Sequence, residues 1–434
     1  MAMVLFPSRI PVKGILRPPS DKSITHRAIL FSSLVKGATH IKDPLVAQDT
    51  LSSRRLVESL GVQVEENQRE WILSSPGFED WSNVDRVIDC GNSGTTMRLA
   101  MGLLSLSDEP RTLTGDSSLS MRPMERVAQP LREMGIRVAT AKGYPPVTIE
   151  HEGRARGITY EMPVASAQVK SAIILAALKG SEPTEIKEPY PTRDHTERML
   201  RQMGMTISQT PNRIHVEPVT HWQRLHPEIF QVPGDPSSAA FWAALAGLLP
   251  GSYLTLRDVS VSARRTGFFR HLQQMGTEVN LTPHASAEEI GTMTISYRPL
   301  KAHDVDGTQV PDMVDEIPLV ALMASQAVGE TTIRGAQELR VKETDRIHAT
   351  VENLRILGAD IEERADGMVV RGPTALRGGG VQTFGDHRMA MMLAVAAAVA
   401  KEPIILDNEG SVNISYPMFF DQYRQWQNGE IFRD

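Results

Sequence analysis

Ser20-Asp21-Lys22-Ser23 is the first of six polar, turn-forming clusters in the chain, and each cluster leads directly into an apolar, helix-like run. The clusters recur at intervals of about 72 residues, and a fixed period of this kind indicates repeated supersecondary units. Six such repeats account for all 434 residues. The other five clusters are Asn92-Ser93-Gly94-Thr95, Ser166-Ala167-Gln168, Asp235-Pro236-Ser237-Ser238, Asp315-Glu316 and Asp386-His387-Arg388.

A second marker follows each cluster by about 40 residues. It is a glycine preceded by an apolar residue, with apolar partners three residues on either side, as in Val57-x-x-Leu60-Gly61-x-x-Val64. Glycine in this position is typical of a helix end. We therefore predict that each repeat contains a helix, a strand, a second helix and two further strands. The marker recurs at Gly135, Gly204, Gly276 and Gly358, with a degraded version at Gly429.

The first helix of each repeat is predicted to lie inside its domain. Segments 173–178, 241–249 and 389–399 are hydrophobic on all sides, which is typical of buried helices. The second helices are amphipathic, as in 197–203. They begin near Asp49, Arg122, Arg193, Arg264, Lys342 and Ile414.

Two segments rich in proline and glycine suggest the domain boundaries. They are Arg17-Pro18-Pro19-Ser20 and Val232-Pro233-Gly234-Asp235-Pro236, and three repeats lie between them. This arrangement predicts two domains of three repeats, joined by two crossings with a hinge near Ser20 and Gly234. One domain would comprise residues 20–234. The other would be discontinuous and comprise residues 1–19 and 235–434.

The composition excludes several classes of protein. Hydrophobic residues make up 41% and charged residues 23%, as in ordinary soluble enzymes, and a net charge of −6 argues against a general nucleic-acid or membrane surface. One cysteine excludes an internal disulfide, and residues 1–14 do not resemble a signal peptide, so we expect a cytoplasmic protein. The sequence contains no Walker loop, HExxH motif or Cys/His metal spacing. Gly378-Gly379-Gly380 is predicted to form a hairpin turn.

Lysine and arginine concentrate at the predicted helix starts, notably in Ser120-Met121-Arg122-Pro123, Thr192-Arg193-Asp194-His195-Thr196 and Val341-Lys342-Glu343-Thr344-Asp345-Arg346. A helix N-terminus contributes about 0.3–1 kcal/mol toward an anion, and a charge-assisted hydrogen bond about 1.5–3 kcal/mol. The basic side chains should therefore dominate, and the favoured ligand carries several phosphate or carboxylate charges.

Each of these features has a structural alternative. Asp and Ser at helix starts are often simple caps, and Lys342, Glu343 and Arg346 are spaced like an exposed, salt-bridged helix face. Arg388 is different, because the apolar helix that follows it does not require the cluster Asp386-His387-Arg388.

Four motifs in this order resemble those of the EPSP synthase (3-phosphoshikimate 1-carboxyvinyltransferase) family, and the resemblance covers essentially the whole chain. The resemblance implies an inside-out α/β fold of six βαβαββ units, three in each of two domains that close over the substrates. The motifs are Pro19-Ser20-Asp21-Lys22-Ser23-Ile24-Thr25-His26-Arg27, Gly91-Asn92-Ser93-Gly94-Thr95-Thr96-Met97-Arg98, Arg340-Val341-Lys342-Glu343-Thr344-Asp345-Arg346 and Gly385-Asp386-His387-Arg388-Met389-Ala390.

The resemblance also implies an activity. The enolpyruvyl group of phosphoenolpyruvate would be transferred to the 5-hydroxyl of shikimate 3-phosphate with release of phosphate, a step of the shikimate pathway toward chorismate and the aromatic amino acids. It implies no metal and no organic cofactor. We expect a monomer whose partners are these two small substrates, with no nucleic acid and no membrane. The tetrahedral intermediate, which bears phosphate and carboxylate, would need a dry, strongly positive cradle.

Site residues carry over from the family motifs position by position. Asp315 would accept the proton of the attacking hydroxyl, and Glu343 and Lys22 are the other candidates for proton transfer. The residues implied for shikimate 3-phosphate are Lys22, Ser23, Arg27, Ser166, Ala167, Gln168, Arg193, Asp315 and Lys342. Those implied for phosphoenolpyruvate are Lys22, Gly94, Arg122, Gln168, Arg346 and Arg388.

Two positions depart from many family members, which have a lysine where this chain has Ile414 and an asparagine where it has Glu338. Two alternative functions follow from the same fold. A UDP-N-acetylglucosamine enolpyruvyl transferase would have Lys-Asn in place of Lys22-Ser23 and commonly a cysteine in the loop 112–122. A non-catalytic phosphate-binding protein would have no reason to keep Asp315 and Glu343.

Overall fold

The chain divides into two compact units in a computed structural model that describes residues 2–81, 86–150, 152–284, 289–430 and 432. One unit, Ser20–Val232, is formed by a single stretch of chain and is called the continuous unit below. The other combines Met1–Pro19 with Pro233–Asp434 and is called the discontinuous unit. The hinge near Ser20 and Gly234 stays a prediction.

Thirteen α-helices lie within the described residues. They are α1 (Lys22–Ser32), α2 (Gln48–Ser59), α3 (Gly94–Leu104), α4 (Glu125–Glu133), α5 (Ala167–Ala177), α6 (His195–Gln202), α7 (Pro236–Leu248), α8 (Gly267–Gln274), α9 (Val310–Met313), α10 (Ile317–Gln326), α11 (Arg346–Ile356), α12 (His387–Val399) and α13 (Phe419–Gln427).

The described residues also form 22 strands. They are β1 (Met3–Leu5), β2 (Lys13–Leu16), β3 (Gly37–Lys42), β4 (Gln63–Glu66), β5 (Glu70–Ser75), β6 (Val87–Asp89), β7 (Arg111–Thr114), β8 (Arg137–Ala141), β9 (Tyr144–Glu150), β10 (Thr159–Glu161), β11 (Thr184–Lys187), β12 (Ile207–Thr210), β13 (Arg213–Val216), β14 (Ile229–Gln231), β15 (Tyr253–Ser260), β16 (Glu278–Pro283), β17 (Ile290–Ser296), β18 (Gly329–Ile333), β19 (Asp360–Arg364), β20 (Gly367–Gly372), β21 (Gly379–Val381) and β22 (Ile404–Leu406).

The six polar clusters mark the starts of helices α1, α3, α5, α7, α10 and α12, as predicted. Five of them supply a side-chain cap for the first turn; Asp21, for example, accepts a hydrogen bond from the backbone N–H of Ile24. Such a cap satisfies one of the N–H groups that has no partner within the helix. The exception is α10, whose N-cap residue Glu316 makes no side-chain capping bond.

The six marker glycines all adopt a positive φ just after the second helix of their repeat. Gly61 has φ of 91° and Gly276 has φ of 105°, and Gly429 in the degraded marker has φ of 81°. Residues with a Cβ are strained in this conformation, so glycine ends these helices at low cost.

Among the described residues, four of the six sheets repeat one pattern, in which a parallel pair is extended by an antiparallel hairpin. The sheet β18-β20-β19 is antiparallel throughout, and β1-β22-β21 combines one antiparallel with one parallel pair. The continuous unit has the strand orders β14-β3-β5-β4, β6-β7-β9-β8 and β10-β11-β13-β12. The discontinuous unit has β16-β17-β15-β2, β18-β20-β19 and β1-β22-β21. Together with the helix order, this recurrence is the predicted α/β fold of βαβαββ units.

In each unit, one parallel strand pair joins two segments that are far apart in the chain. β2 precedes α1 in the chain but pairs in parallel with β15, with Lys13 opposite Tyr253. β14 precedes α7 but pairs in parallel with β3, with Ile229 opposite His40. The antiparallel pair β1–β22 joins Met3 to Leu406 within the discontinuous unit.

The first helices fill the interior of each unit, as their all-round hydrophobicity predicted. Every residue of α7 is buried, and so are residues 387–398 of α12. Within this core Trp242 Nε1 donates a hydrogen bond of 3.0 Å to the Tyr416 hydroxyl, which satisfies its one polar atom. Among the described residues, no helix combines the length and the apolar character needed to cross a membrane.

The hairpin predicted at Gly378-Gly379-Gly380 is wrong. Gly379 and Gly380 belong to β21, which pairs in parallel with β22. Gly378 is needed for close packing rather than for a turn, since a Cβ there would lie 2.3 Å from the Pro403 carbonyl oxygen. Glycine serves both purposes, and the sequence alone does not separate them.

We expect acid to destabilise the discontinuous unit through His271 on α8. This side chain is 1% exposed, and burial lowers the pKa of His271 to about 4, with His303 a smaller cause. As the pH falls from 6.5, the unfolded chain therefore binds a proton that the folded unit does not, so stability is lost with acid. The loss over this range should be smaller in His271→Leu than in wild type by up to about 3 kcal/mol.

Denaturant unfolding of both proteins at neutral pH and near pH 4.5 measures this difference. Both ring nitrogens of His271 lack a hydrogen-bond partner within the described residues, so leucine breaks no such bond at neutral pH. Parallel losses of stability in the two proteins would contradict the assignment.

Candidate functional site

Lys22 is held at the start of α1 by a carboxylate of the same repeat. Its Nζ lies 2.9 Å from Oδ2 of Asp49 on α2, and both side chains are largely buried. Asp21 caps the same helix. The ammonium group therefore has a fixed position beside a helix N-terminus, where anions are favoured.

Arg27 connects the first repeat with the third. Its Nε donates 2.7 Å to the Thr196 hydroxyl on α6, and Nη2 donates 2.9 Å to the Ser171 hydroxyl on α5. Nη1 donates 3.1 Å to the carbonyl oxygen of Ser23. Arg27 is 3% exposed and contacts the three helices α1, α5 and α6, so it links Ser23 to the third repeat.

Two arginines converge on the start of α3. Arg122 Nη2 donates to Asn92 Oδ1 at 2.7 Å and to the Ser118 hydroxyl at 3.2 Å. A Cβ added to Gly94 would lie 3.1 Å from Arg98 Nη1 and 3.3 Å from Arg122 Nη1. Two guanidinium groups at a helix N-terminus form a site suited to phosphate or carboxylate.

Gln168 links this cationic site to the third repeat. Its Oε1 accepts from Arg98 Nη1 at 2.7 Å, and its Nε2 donates to the Thr95 hydroxyl at 3.0 Å. Ser166 caps α5 through the backbone N–H of Val169, and Ala167 is the first residue of that helix. Arg193 lies in the segment between β11 and α6.

Arg346 is the centre of the cluster in the discontinuous unit. Its Nε donates to Asp386 Oδ2 at 2.7 Å, Nη1 to Asp315 Oδ1 at 3.1 Å and Nη2 to Glu343 Oε2 at 2.6 Å. The side chain is 1% exposed, and Asp386 is fully buried. The exposed-face alternative for this motif is therefore wrong, and burial beside three carboxylates fixes the guanidinium in its charged form.

Arg388 completes the cluster at the start of α12. Its Nη2 lies 3.7 Å from Asp315 Oδ2, and its Nη1 lies 3.4 Å from Glu316 Oε1. The Asp315 carboxylate thus faces two arginines, whereas Glu316 occupies the N-cap of α10. The simple-cap alternative for Asp315 is wrong.

The two family departures have structural counterparts. Glu338 Oε1 lies 3.5 Å from Lys342 Nζ, so the carboxylate in place of the family asparagine pairs with the predicted substrate lysine. Ile414 is 9% exposed at the end of the 3-10 turn Glu409–Ile414, where it adds apolar surface and no charge.

The two clusters differ in charge, and the positive cradle expected around the substrates stays a prediction. In the continuous unit five cations stand near four carboxylates. These groups are Lys22, Arg27, Arg98, Arg122, Arg193, Asp21, Asp49, Asp116 and Asp194. In the discontinuous unit three cations stand against five carboxylates. These groups are Lys342, Arg346, Arg388, Asp315, Glu316, Glu338, Glu343 and Asp386.

Sequence reasoning missed three side chains of these clusters. Arg98 is part of a family motif and lies one helical turn after Gly94, so helix periodicity would have identified it. Asp49 was named only as the approximate start of a second helix, and Glu316 only as part of the polar cluster Asp315-Glu316. Their partners come from other segments, and no local signal indicates them. Over the part of the chain that the structure describes, no three His, Cys, Asp or Glu side chains are grouped as metal ligands would be.

Arg346 should be a major contributor to the stability of the discontinuous unit. Arg346→Met leaves the Asp386 carboxylate buried without its cation, a change that typically costs about 3–5 kcal/mol. Adding Asp386→Asn removes the stranded charge and should restore part of the loss. Arg371→Gln is the control, because its partners Glu330 and Asp360 are exposed and its loss should matter much less. Equal melting temperatures for Arg346→Met and the control would disprove this role.

Comparisons with known proteins agree along nearly the whole length. The family model described as EPSP synthase (3-phosphoshikimate 1-carboxyvinyltransferase) matches residues 8–423. A 3-phosphoshikimate 1-carboxyvinyltransferase of Syntrophomonas wolfei is 45% identical over 416 residues, covering 95% of this chain and 96% of that protein. One of Streptococcus uberis is 42% identical over 421 residues, covering 96% of this chain and 98% of that protein.

The fold agrees with solved structures as well. A structure of EPSP synthase from Acinetobacter baumannii superposes with a TM-score of 0.85 at 36% identity, covering 98% of each chain. With this match and the motif residues assembled as described, the chain belongs to the EPSP synthase (3-phosphoshikimate 1-carboxyvinyltransferase) family.

Proposed function

We propose that this chain transfers the enolpyruvyl group of phosphoenolpyruvate to the 5-hydroxyl of shikimate 3-phosphate and releases phosphate. The observation that best supports the proposal is the convergence of Arg98, Arg122 and Gln168 on the start of α3. This arrangement suits a small polyanion. Family membership supplies the identity of the two substrates.

The donor is assigned to two groups of residues. In the continuous unit, Gly94, Arg122 and Gln168 surround the start of α3. Lys22, the fourth residue of this group, lies at the start of α1. Arg346 and Arg388 are the corresponding residues of the discontinuous unit. Hydrogen bonds already orient each of these guanidinium groups, so little side-chain entropy would be lost when the donor binds.

The acceptor is assigned to residues of the first and third repeats. They are Lys22, Ser23, Arg27, Ser166, Ala167, Gln168 and Arg193. Arg27 orients this group through Ser171 and Thr196, and the capped start of α5 offers N–H groups to a phosphate. The family resemblance extends the acceptor set to Asp315 and Lys342, and that extension stays a prediction.

In the proposed chemistry, Asp315 takes the proton of the 5-hydroxyl while that oxygen forms a bond to C2 of the donor. The methylene carbon gains a proton, for which Glu343 and Lys22 are the candidates. In the second step the C2–O bond to phosphate breaks, and the new methyl group loses a proton to restore the double bond. Arg346 contacts both Asp315 and Glu343, so one cation orients the two proposed proton-transfer groups.

An assay of phosphate release with each acceptor tests the proposal. Release from phosphoenolpyruvate should require shikimate 3-phosphate, and UDP-N-acetylglucosamine should not replace it. Release only with the nucleotide sugar would identify the sister transferase instead. Binding of both substrates without release of phosphate would favour a non-catalytic phosphate-binding protein.

Asp315→Asn separates catalysis from binding. The amide still offers an oxygen to Arg346 but is not a base, so kcat should fall by roughly 10²–10⁴-fold while shikimate 3-phosphate affinity changes little. Glu316→Gln is the matched control, since it removes the same charge one residue away and should reduce kcat far less. An Asn variant with kcat within a few-fold of wild type would transfer the role of base to Glu343.

Arg122→Ala and Arg388→Ala test the donor assignment. Each loses a charge-assisted contact, so kcat/KM for phosphoenolpyruvate should fall by about 10- to 150-fold, with a smaller effect on shikimate 3-phosphate binding. Arg132→Ala is the control, because that side chain pairs with Glu125 at the surface of α4. Wild-type kcat/KM in either test variant would overturn its assignment.

A further inference from the structure

Lys170 lies fully buried between two glutamates. Its Nζ is 3.1 Å from Glu188 Oε2 and 2.8 Å from Glu197 Oε1, and all three side chains are 0% exposed. The Thr192 hydroxyl donates to the other oxygen of Glu188 at 2.5 Å. None of these four residues belongs to the substrate sets assigned above.

The two glutamates stand at the two ends of the segment that carries Arg193. Glu188 directly follows β11, and its backbone N–H is bonded to the Asn212 carbonyl at 2.9 Å. Glu197 lies in the first turn of α6. One ammonium group therefore joins both ends of the segment 189–194, and Thr192 adds a contact inside it.

Lys170 also belongs to the start of α5. Its backbone N–H bonds to the Ser166 carbonyl at 3.1 Å, so its position is coupled to Ser166, Ala167 and Gln168. The neighbouring Ser171 contacts Thr196 at 2.6 Å, directly before Glu197 in the chain. The ion cluster and the hydroxyl pair that orients Arg27 thus share the α5–α6 contact.

Stability alone does not explain three buried charged groups. Burial raises the pKa of Glu197, and Lys170 only partly offsets this effect. Well-packed apolar side chains often replace such clusters without loss of stability. Buried ionic groups can instead specify one geometry, and here the geometry is that of two anion-binding segments.

We propose that Lys170, Glu188 and Glu197 form a positioning triad that fixes Arg193 relative to Ser166–Gln168 and thereby sets the affinity for the phosphate of the acceptor. The inference rests on the proposed function, in which both segments hold shikimate 3-phosphate. The triad itself does not touch the substrate. It acts through Arg193 and the first turn of α5.

Steady-state kinetics of the full-length Lys170→Met enzyme tests the proposal. Methionine keeps the length of the side chain but removes the bridge, so KM for shikimate 3-phosphate should rise by about 10- to 100-fold. The KM for phosphoenolpyruvate should stay near its wild-type value, and kcat should change less than the acceptor KM.

A double-variant cycle with Arg193→Ala separates positioning from general loosening. If Lys170 acts through Arg193, then Lys170→Met should add little to the acceptor KM of an enzyme that already lacks Arg193. Fully additive effects would overturn the proposal.

Lys179→Met is the matched control, because Lys179 lies just beyond the C-terminal end of α5. The Lys179 ammonium contacts the Leu106 carbonyl at 2.9 Å and Asp108 at 2.8 Å, and neither partner belongs to the acceptor set. This variant should have a lower melting temperature with an unchanged acceptor KM. An acceptor KM for Lys170→Met equal to that of the control would also overturn the proposal.

A third variant covers the case in which Lys170→Met does not fold. Combining Lys170→Met with Glu188→Gln and Glu197→Gln leaves no charge in the cluster at nearly the same volume, so folding should be retained while the bridge is lost. Its acceptor KM should rise as stated above, and a wild-type value would count against the triad. Absence of shikimate 3-phosphate-dependent phosphate release in the wild-type enzyme would instead overturn the proposed function itself.

Discussion

A helix that is apolar on every side must be covered on every side, and this constraint organises both units. Burying α7 and α12 completely leaves the sheets to form the outer layers. The polar groups at the starts of these helices then need local partners, which Asp235 and Asp386 supply as caps. The same residues pair with arginines, so capping and charge pairing meet at the ends of the buried helices.

A polar pair connects the start of the first helix with the start of the second in five repeats. The chemistry of the pair varies while its position is kept. The basic residue of the pair is Lys22 in the first repeat and Arg122 in the second, and in the third it is Lys170 of the buried triad. The pairs are Lys22–Asp49, Arg122–Asn92, Lys170–Glu197, Arg265–Asp235 and Arg346–Asp315.

The elements of the fold were predictable from the sequence because their signals are local. A cap acts within one helical turn and a marker glycine at one backbone position, so the starts of the first helices and the glycines that end the second helices were predicted well. The second helices were placed less accurately: α11 begins at Arg346 and α13 at Phe419, later than the predicted Lys342 and Ile414. The pairing of Arg346 with Glu343 follows from their spacing, but its pairing with Asp315 and Asp386 was not predictable, since these two residues come from other segments of the chain. The pairing of Lys170 was missed for the same reason, because in sequence it is one polar residue in an apolar run. The number of carboxylates in the cluster of the discontinuous unit was not predictable either, because residue type does not reveal how many carboxylates fold around each cation.

The strand pairs between distant segments have a consequence for synthesis on the ribosome. The continuous unit has all its strands once β14 has been made, because β14 is the last strand that it needs. β1 and β2 are synthesised before the continuous unit, yet their partners β22 and β15 follow roughly 240 to 400 residues later. The N-terminal segment must therefore stay unpaired while the continuous unit folds. The discontinuous unit begins first in the chain but is the last of the two to complete its sheets. Between these two strands, Ser8, Arg9 and the prolines Pro7 and Pro11 interrupt otherwise apolar residues, a composition that limits aggregation of the unpaired segment.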